Sequence, residues 1–236
     1  MIPEWNMGDI KSLREIKTWR RAAARGLAVT AALCGVGLAW PQAQTNPNLN
    51  AQLLVAARNN DLASVQRALA DGAAPNSRNR LGKTALLMAC EKGQAPLAST
   101  MLRAGTDANL ASLEGVTPLM AAAFGGHAAI ARELLAAGAR TDGQDRMHRT
   151  AWMYAAAQGH AEVVGVLHDA GVAIDAVDEH QLTALMWAAG QGQPEVVRLL
   201  LQRGARADLR DDRGLSALDI ARQTGHDDVA RLLSPP

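Results

Sequence analysis

Residues 117–126 read TPLMAAAFGG, and the same pattern returns at 84–93 (TALLMACEKG), 150–159 (TAWMYAAAQG), 183–192 (TALMWAAGQG) and 216–225 (SALDIARQTG). Each segment begins 33 residues after the previous one, with no insertion. Every copy starts with Thr or Ser, and Ala and Gly follow five and nine positions later. Several columns in one register indicate a chain built from repeats of 33 residues.

Each repeat predicts two short helices. The hydroxyl of Thr117 stands where a helix N-cap accepts a hydrogen bond from a free backbone N–H, and Gly126 stands where the helix ends. A second helix is predicted over residues 161–170 (AEVVGVLHDA), with its valines and leucine facing inward and Gly171 after it. A turn of about a dozen residues then joins one repeat to the next.

The composition agrees with closely packed helices and excludes several classes of protein. The 236 residues are 48% apolar but only 3% aromatic, with two Cys and a net charge of +1. Wholesale disorder, a strongly basic nucleic-acid binder and a disulfide scaffold are excluded. The alanine columns let neighbouring helices approach closely, which accounts for the scarcity of aromatic residues.

The pattern resembles the ankyrin repeat, whose 33-residue unit carries a Thr-Pro-Leu-His-x-Ala motif. Thr117 begins TPLMAAA, and Gly-His pairs follow in three of the repeats. The resemblance implies an all-α ankyrin-repeat solenoid over residues 44–236, with stacked helix-turn-helix units and β-turn or hairpin fingers. The six units are expected at 46–78, 79–111, 112–144, 145–177, 178–210 and 211–233.

Two departures from this pattern concern the turns. The motif histidine is replaced by other residues in every copy, so the turns are expected to be held more by packing; these residues are Leu87, Met120, Met153, Met186 and Asp219. His148 and Gln181 stand where Gly115 and Gly214 are found in other units. Because a positive φ is unfavourable for them, those two turns are expected to differ in shape.

The two end units have the features of caps. A stack of repeats must finish in polar surfaces to remain soluble. The first unit lacks the hydroxyl signature and carries polar residues at 58–61, and Asp219 and Arg222 occupy otherwise apolar columns of the last unit.

Residues 1–43 differ from the repeats and are expected to be a signal peptide or leader. Six basic residues precede an uncharged run of about fifteen residues that ends before Pro41, and cleavage is expected after Ala39 or Ala43. The run is shorter than the roughly 20 residues of a membrane span, but an uncleaved anchor in the inner membrane stays open, as does a buried N-terminal helix.

No catalytic or metal constellation emerges from the repeats. His127, His160 and His226 recur at the repeat spacing, which favours hydrogen bonding at the turn between helices. A methionine stripe and Cys90 are interpreted as buried packing, and Trp152, Tyr154 and Trp187 as enlargement of the core. Copper binding by the methionines is the alternative; the stripe is Met88, Met120, Met153 and Met186.

The resemblance also implies where a partner would bind. In ankyrin repeats the contacts come from the hairpin tips and the exposed end of the first helix. The matching positions are Arg80, Leu81, Lys83, Leu113, Glu114, Phe124, Arg146, Met147, Arg149, Glu179, His180, Leu182 and Arg213. Exposed apolar groups beside arginines are typical of protein interfaces.

These features together favour a non-enzymatic scaffold that binds a protein partner, exported to the bacterial periplasm or secreted. We expect no cofactor, nucleic acid or small-molecule substrate. The leader holds six basic and three acidic residues, and residues 44–236 hold 18 and 20, a net charge of about −2. A membrane-tethered adaptor and a metal-binding or redox-protective periplasmic protein are the alternatives.

Overall fold

The computed structural model describes residues 47–234, which form twelve α-helices in six pairs. The inner helices are α1 (Pro47–Arg58), α3 (Ala85–Glu91), α5 (Pro118–Phe124), α7 (Ala151–Ala157), α9 (Ala184–Gly190) and α11 (Ala217–Thr224). The outer helices are α2 (Leu62–Ala70), α4 (Ala95–Arg103), α6 (Ala128–Ala136), α8 (Ala161–Asp169), α10 (Pro194–Gln202) and α12 (Asp227–Leu233).

The prediction of an all-α repeat solenoid with about six units is confirmed. Within residues 47–234 the extended structure amounts to one isolated antiparallel bridge, between Val177 and Thr183. No helix in this range is both long enough and apolar enough to cross a membrane. The predicted leader, with its two cleavage sites, lies outside the described residues.

The inner helices begin and end where the repeat pattern predicts. The hydroxyl of Thr117 accepts a hydrogen bond from the N–H of Met120 at 3.2 Å, and the caps of α3, α7, α9 and α11 follow the same scheme. In the last unit Asp219 completes a reciprocal capping box, because its carboxylate accepts from the N–H of Ser216 at 3.0 Å. Gly126 then takes φ 72° and turns the chain out of the helix.

Small and sulfur-containing side chains fill the interior between stacked units. One alanine column of the inner helices is wholly buried; it consists of Ala89, Ala122, Ala155, Ala188 and Ala221. The four methionines of the stripe are at most 6% exposed, so their interpretation as packing residues is confirmed. Trp152, 1% exposed, takes the place of a leucine and adds bulk to the fourth unit.

Adjacent units also interlock at the turn between the inner and outer helix. A Cβ at Gly126 would lie 2.5 Å from the His160 ring of the next unit, and at Gly159 it would lie 2.3 Å from the Gln193 amide. His160 Nε2 donates to the carbonyl oxygen of Phe124 at 2.9 Å, which confirms the hydrogen-bonding role predicted for this histidine. The glycines are therefore required for contact with the next unit as well as for backbone conformation.

The expectation that His148 and Gln181 distort their turns is wrong. Both adopt the left-handed conformation, at φ 56° and 60°, where Gly115 has 80°. The N–H of His148 donates to the carbonyl of Asp145 at 3.0 Å, and the N–H of Gly115 donates in the same way to the carbonyl of Ser112. The turn is over-determined by hydrogen bonds, which hold the non-glycine residues in a conformation that costs about 1–3 kcal/mol.

A polar column at the start of each finger supplies those hydrogen bonds. It consists of Asn79, Ser112, Asp145, Asp178 and Asp211. Asp178 Oδ1, for example, accepts from the N–H groups of His180 and Leu182 at 2.9 Å each. The expectation that packing holds the turns is therefore wrong, because side-chain hydrogen bonds fix each finger.

The exposed ends of the stack are mainly polar, in agreement with the cap interpretation. Gln52 and Arg58 are exposed on the first inner helix, and Arg222 and Asp228 are exposed in the last unit. Val55 is the apolar exception, with 56% of its surface exposed.

Candidate functional site

The predicted binding residues lie along the fingers and the adjoining ends of the inner helices. Lys83, Arg149 and Leu182 are half-buried, and the others are exposed. The exposed members are Arg80, Leu81, Leu113, Glu114, Phe124, Arg146, Met147, Glu179, His180 and Arg213. The structure thus places all thirteen on one structural feature of the repeat.

Backbone hydrogen bonds join the second, third and fourth fingers to one another, and the fifth finger to the sixth. The N–H of Leu113 donates to the carbonyl of Leu81 at 3.0 Å, and the N–H of Arg146 donates to that of Glu114 at 3.1 Å. The N–H of Asp212 donates to the carbonyl of His180 at 3.1 Å. Within each of these two groups of fingers, the tied tips present their side chains in fixed order.

Most of the exposed large apolar side chains of residues 47–234 lie on this feature. Leu81, Leu113 and Met147 are 61%, 57% and 66% exposed, and Phe124, at the end of α5, is 53% exposed. Val177, at the entrance to the fifth finger, is 45% exposed. Core packing does not require these positions to be apolar, so they form a surface suited to contact with another molecule.

Phe124 belongs to a cluster that connects the inner helix with the fourth finger. Its ring meets the Tyr154 ring edge-on, with centroids 5.7 Å apart and planes at 83°. The Arg149 guanidinium lies over the Tyr154 ring, 4.8 Å from its centroid. Arg149 also donates to Asp145 Oδ2 from Nε and Nη2, at 3.1 and 3.0 Å. Such fixed aromatic and guanidinium groups are preorganised for binding.

The buried carboxylate of Asp145 is the anchor of this cluster. Burial by itself would raise the pKa of Asp145, but hydrogen bonds from the Tyr154 hydroxyl and from the N–H groups of Arg149 and Met147 outweigh it and lower the pKa. Burial and the bond to this carboxylate raise the pKa of Tyr154 to about 12. Asp145 is therefore ionised and Tyr154 is a neutral donor at physiological pH.

The fifth unit repeats this connection with a different aromatic residue. Trp187 Nε1 donates to Asp178 Oδ2 at 3.1 Å. Tyr154 and Trp187 are half-buried and pack against the core, so their interpretation as core enlargement holds for their rings, as it does for the fully buried Trp152. It misses their polar ends, which reach the finger aspartate nine residues earlier. Sequence reasoning missed this role, although the aspartates recur at the same step of 33 residues.

The charged residues of the fingers are paired to different degrees. Arg146 Nη1 lies 3.3 Å from the Glu114 carboxylate of the preceding finger, with both side chains well exposed. Arg213 pairs within its own finger with Asp211, at 2.6 Å. Arg80 makes no ion pair or hydrogen bond within residues 47–234, so its charge is available to a partner.

The remaining reactive groups are buried or dispersed. Cys90 is fully buried, and desolvation raises the pKa of its thiol far above the usual range, so the thiol is unreactive in the folded state. In the part of the chain that the structure describes, no three His, Cys, Asp or Glu side chains are grouped to hold a metal ion.

A groove on the outer surface was not foreseen from the sequence. It lies between α6, α8 and α10, where Gly165 stands in a column that carries Arg132 and Arg198 in the neighbouring units. Leu135, Val166 and Leu199 contribute its apolar lining. The missing side chain at Gly165 opens the groove, and its position could have been found by comparing the outer-helix columns.

Comparison with known families agrees with this architecture. A family model of three ankyrin repeats matches residues 53–145, 92–178 and 152–235, which together span nearly all the described residues. No curated protein matches the chain. Ankyrin repeats are in general non-catalytic modules of protein–protein interaction. The chain therefore belongs to the ankyrin repeat family.

Proposed function

We propose that the chain is a non-catalytic scaffold that binds a protein partner on its fingers and inner-helix ends. The observation that carries the proposal is the exposure of Leu113, Met147 and Phe124 on the same face of the repeats as the exposed Arg146. Large apolar anchors with adjoining arginines contribute most of the binding energy in protein interfaces. The negative charge expected for residues 44–236 argues against a nucleic acid as the ligand.

The test replaces Phe124, Arg146 and Met147 together by alanine and measures capture of crosslinked partners from the native cell. We expect retention to fall at least about tenfold, because such anchors each contribute on the order of 1 kcal/mol or more. The melting temperature is expected to fall by only a few degrees, since all three side chains are exposed and lose only the Phe124–Tyr154 contact and the exposed Arg146–Glu114 pair.

A matched control replaces Arg132, Arg198 and Gln202, which are exposed on the outer helices. This variant is expected to retain the partner as the wild type does. Equal retention by the two triple variants would overturn the proposed surface, and loss of partner in the control would place the binding site on the outer helices.

We also propose that the scaffold acts outside the cytoplasm of a bacterium, in the periplasm or after secretion. The support is the order of residues 1–43: a basic stretch, an apolar run and small residues. N-terminal sequencing of the mature protein is expected to begin near Trp40 or Gln44. A retained leader in the membrane fraction would favour the inner-membrane adaptor instead.

A metal-binding or redox-protective role is the less supported alternative. The four stripe methionines are buried in successive units, whose helices pack about 8–10 Å apart, so their sulfur atoms are spread along the stack. Elemental analysis of the purified protein decides this alternative: stoichiometric copper or zinc would favour it over the scaffold.

A further inference from the structure

Four successive fingertips carry exposed charges that alternate in sign. In the second to fifth units the tips are the residue pairs three and four positions before the cap hydroxyl, and we call these four pairs the fingertip row: Arg80–Leu81, Leu113–Glu114, Arg146–Met147 and Glu179–His180. The tip of the sixth unit, Asp212–Arg213, carries both signs and lies outside the row. Arg80, Glu114, Arg146 and Glu179 thus give the order plus, minus, plus, minus. All four side chains are exposed.

When a second copy of this row runs in the opposite direction, every charge of one row faces a charge of opposite sign on the other. A two-fold axis between the third and fourth fingers places Arg80 opposite Glu179 of a second copy, and Glu114 opposite Arg146 of that copy. The axis generates each contact twice, so four opposite-charge contacts form and no like charges meet at the tips. A two-fold interface requires a surface that is complementary to itself in this way.

The apolar side chains of the row follow the same symmetry. Leu113 and Met147 lie on the two fingers next to the axis, so each faces the other residue of the second copy. Both are more than half exposed, and neither packs in the core. Each of the two central tips therefore presents an apolar side chain beside a charged one, so apolar contact and charge pairing occur together near the axis.

The first three tips of the row are also tied to one another before any contact forms. The hydrogen bond from Leu113 N to Leu81 O fixes the second tip to the third, and that from Arg146 N to Glu114 O fixes the third to the fourth. One carboxylate oxygen of Asp145 and one of Asp178 each accept two hydrogen bonds from backbone N–H groups of their own finger. Little conformational entropy is lost when a preorganised surface binds.

We infer that the fingertip row is a self-association surface, through which two copies of this chain form a two-fold symmetric, antiparallel dimer. The inference rests on the proposed function in one respect, that the fingers bind protein, and adds that one such protein is the chain itself. Phe124 lies on the inner helix and outside the row. The small area of four tips predicts a weak, salt-sensitive dimer, with a dissociation constant on the order of 10 μM at low salt.

The test is sedimentation equilibrium of the full chain at about 50 mM salt, over roughly 1 to 300 μM. The wild type is expected to shift from monomer towards dimer. The double reversal R80E/R146E turns all four charge contacts into repulsions, and so does E114R/E179R. Each variant is expected to dissociate at least about tenfold more readily than the wild type. A melting curve checks that each remains folded.

The decisive sample is an equimolar mixture of the two reversed variants. Every contact between unlike variants is again attractive, so the mixture is expected to dimerise as the wild type does. Matched controls reverse the same number of exposed charges on the outer helices, R132E/R198E and E162R/E195R, and are expected to dimerise normally.

A monomeric wild type over the whole concentration range would overturn the inference, as would reversed variants that dimerise unchanged or a mixture that stays monomeric. None of these results affects the proposed function, which is tested by capture of a different protein through Phe124, Arg146 and Met147. The two tests can also separate. If the triple alanine variant retains its partner while the mixture of reversed variants still dimerises, the only partner of the fingertip row is a second copy of the chain.

Discussion

The indole N–H of Trp187 donates a 3.1 Å hydrogen bond to Asp178, nine residues earlier, while the other carboxylate oxygen of Asp178 accepts from two backbone N–H groups of its finger. One half-buried side chain thus ties the finger to the inner helix. The same two-sided arrangement joins Asp145 to Tyr154 in the preceding unit. The fingers of these two units are therefore extensions of the helical stack and not free loops.

Replacing Asp178 tests this tie. Asp178→Ala is expected to lower the free energy of unfolding by about 2–3 kcal/mol, because three donors lose their acceptor. Asp178→Asn keeps an oxygen for the two backbone groups, as Asn79 does naturally, and should cost about 1 kcal/mol. Urea unfolding measures both. A double-mutant cycle with Trp187→Phe should show coupling of about 0.5–1.5 kcal/mol, and zero coupling would contradict the tie.

Glycine at the two left-handed turn positions is expected to stabilise the protein. His148→Gly and Gln181→Gly each remove the cost of a positive φ in a residue with a Cβ, so the free energy of unfolding should rise by about 0.5–1 kcal/mol. The opposite substitution is the control. Gly115→Ala should destabilise, since its φ is +80° and its Cβ would lie 3.0 Å from the Asp145 Cα. Destabilisation by both glycine variants would show that the turns are not strained.

The buried tryptophan of the fourth unit should tolerate the loss of its polar atom but not of its volume. Trp152 is 1% exposed, and its Nε1 has no hydrogen-bond partner within residues 47–234. Trp152→Phe is therefore expected to cost less than about 1.5 kcal/mol, while Trp152→Ala leaves a cavity and should cost about 3–5 kcal/mol. Thermal or urea unfolding distinguishes them. A large loss for the phenylalanine variant would indicate an acceptor for Nε1.

Asp145 is expected to make stability depend on acidic pH. Its pKa in the folded state is lowered from the ordinary value, so its stabilisation is complete above about pH 5 and is lost as the pH falls through the folded pKa. Asp145→Asn should therefore reduce the free energy of unfolding at pH 7 by about 1–2 kcal/mol, but much less at pH 3. Urea unfolding at both pH values measures this. An equal effect at the two pH values would refute the proposed linkage.

The helices and the exposed surface could be predicted from the sequence because each depends on a local, repeated pattern. The cap hydroxyl of Thr117 and the glycine that follows its helix specify one inner helix, and the constant step of 33 specifies the others. The exposure of Phe124 follows from its position at the end of that helix. These properties are set by spacing, which the sequence displays directly.

The turns and the aromatic contacts could not be predicted in the same way. The conformation of Gln181 follows from hydrogen bonds that override its own backbone preference, so residue type alone is misleading there. Tyr154 stands in a column that also holds small and apolar residues, and only the three-dimensional path of the finger brings Asp145 to its hydroxyl. The self-complementary charges likewise become visible only when the tips are ordered in space.

The contact of His160 with Gly126, and of Gln193 with Gly159, has a consequence for how such a chain can change length. At the four joints between the second and the sixth units, the space beside the glycine of one unit is filled by a His or Gln side chain of the next unit. Deletion or duplication of a whole 33-residue block brings such a glycine and such a side chain together again. An insertion of any other length would separate them, which favours growth and loss of the array in complete units.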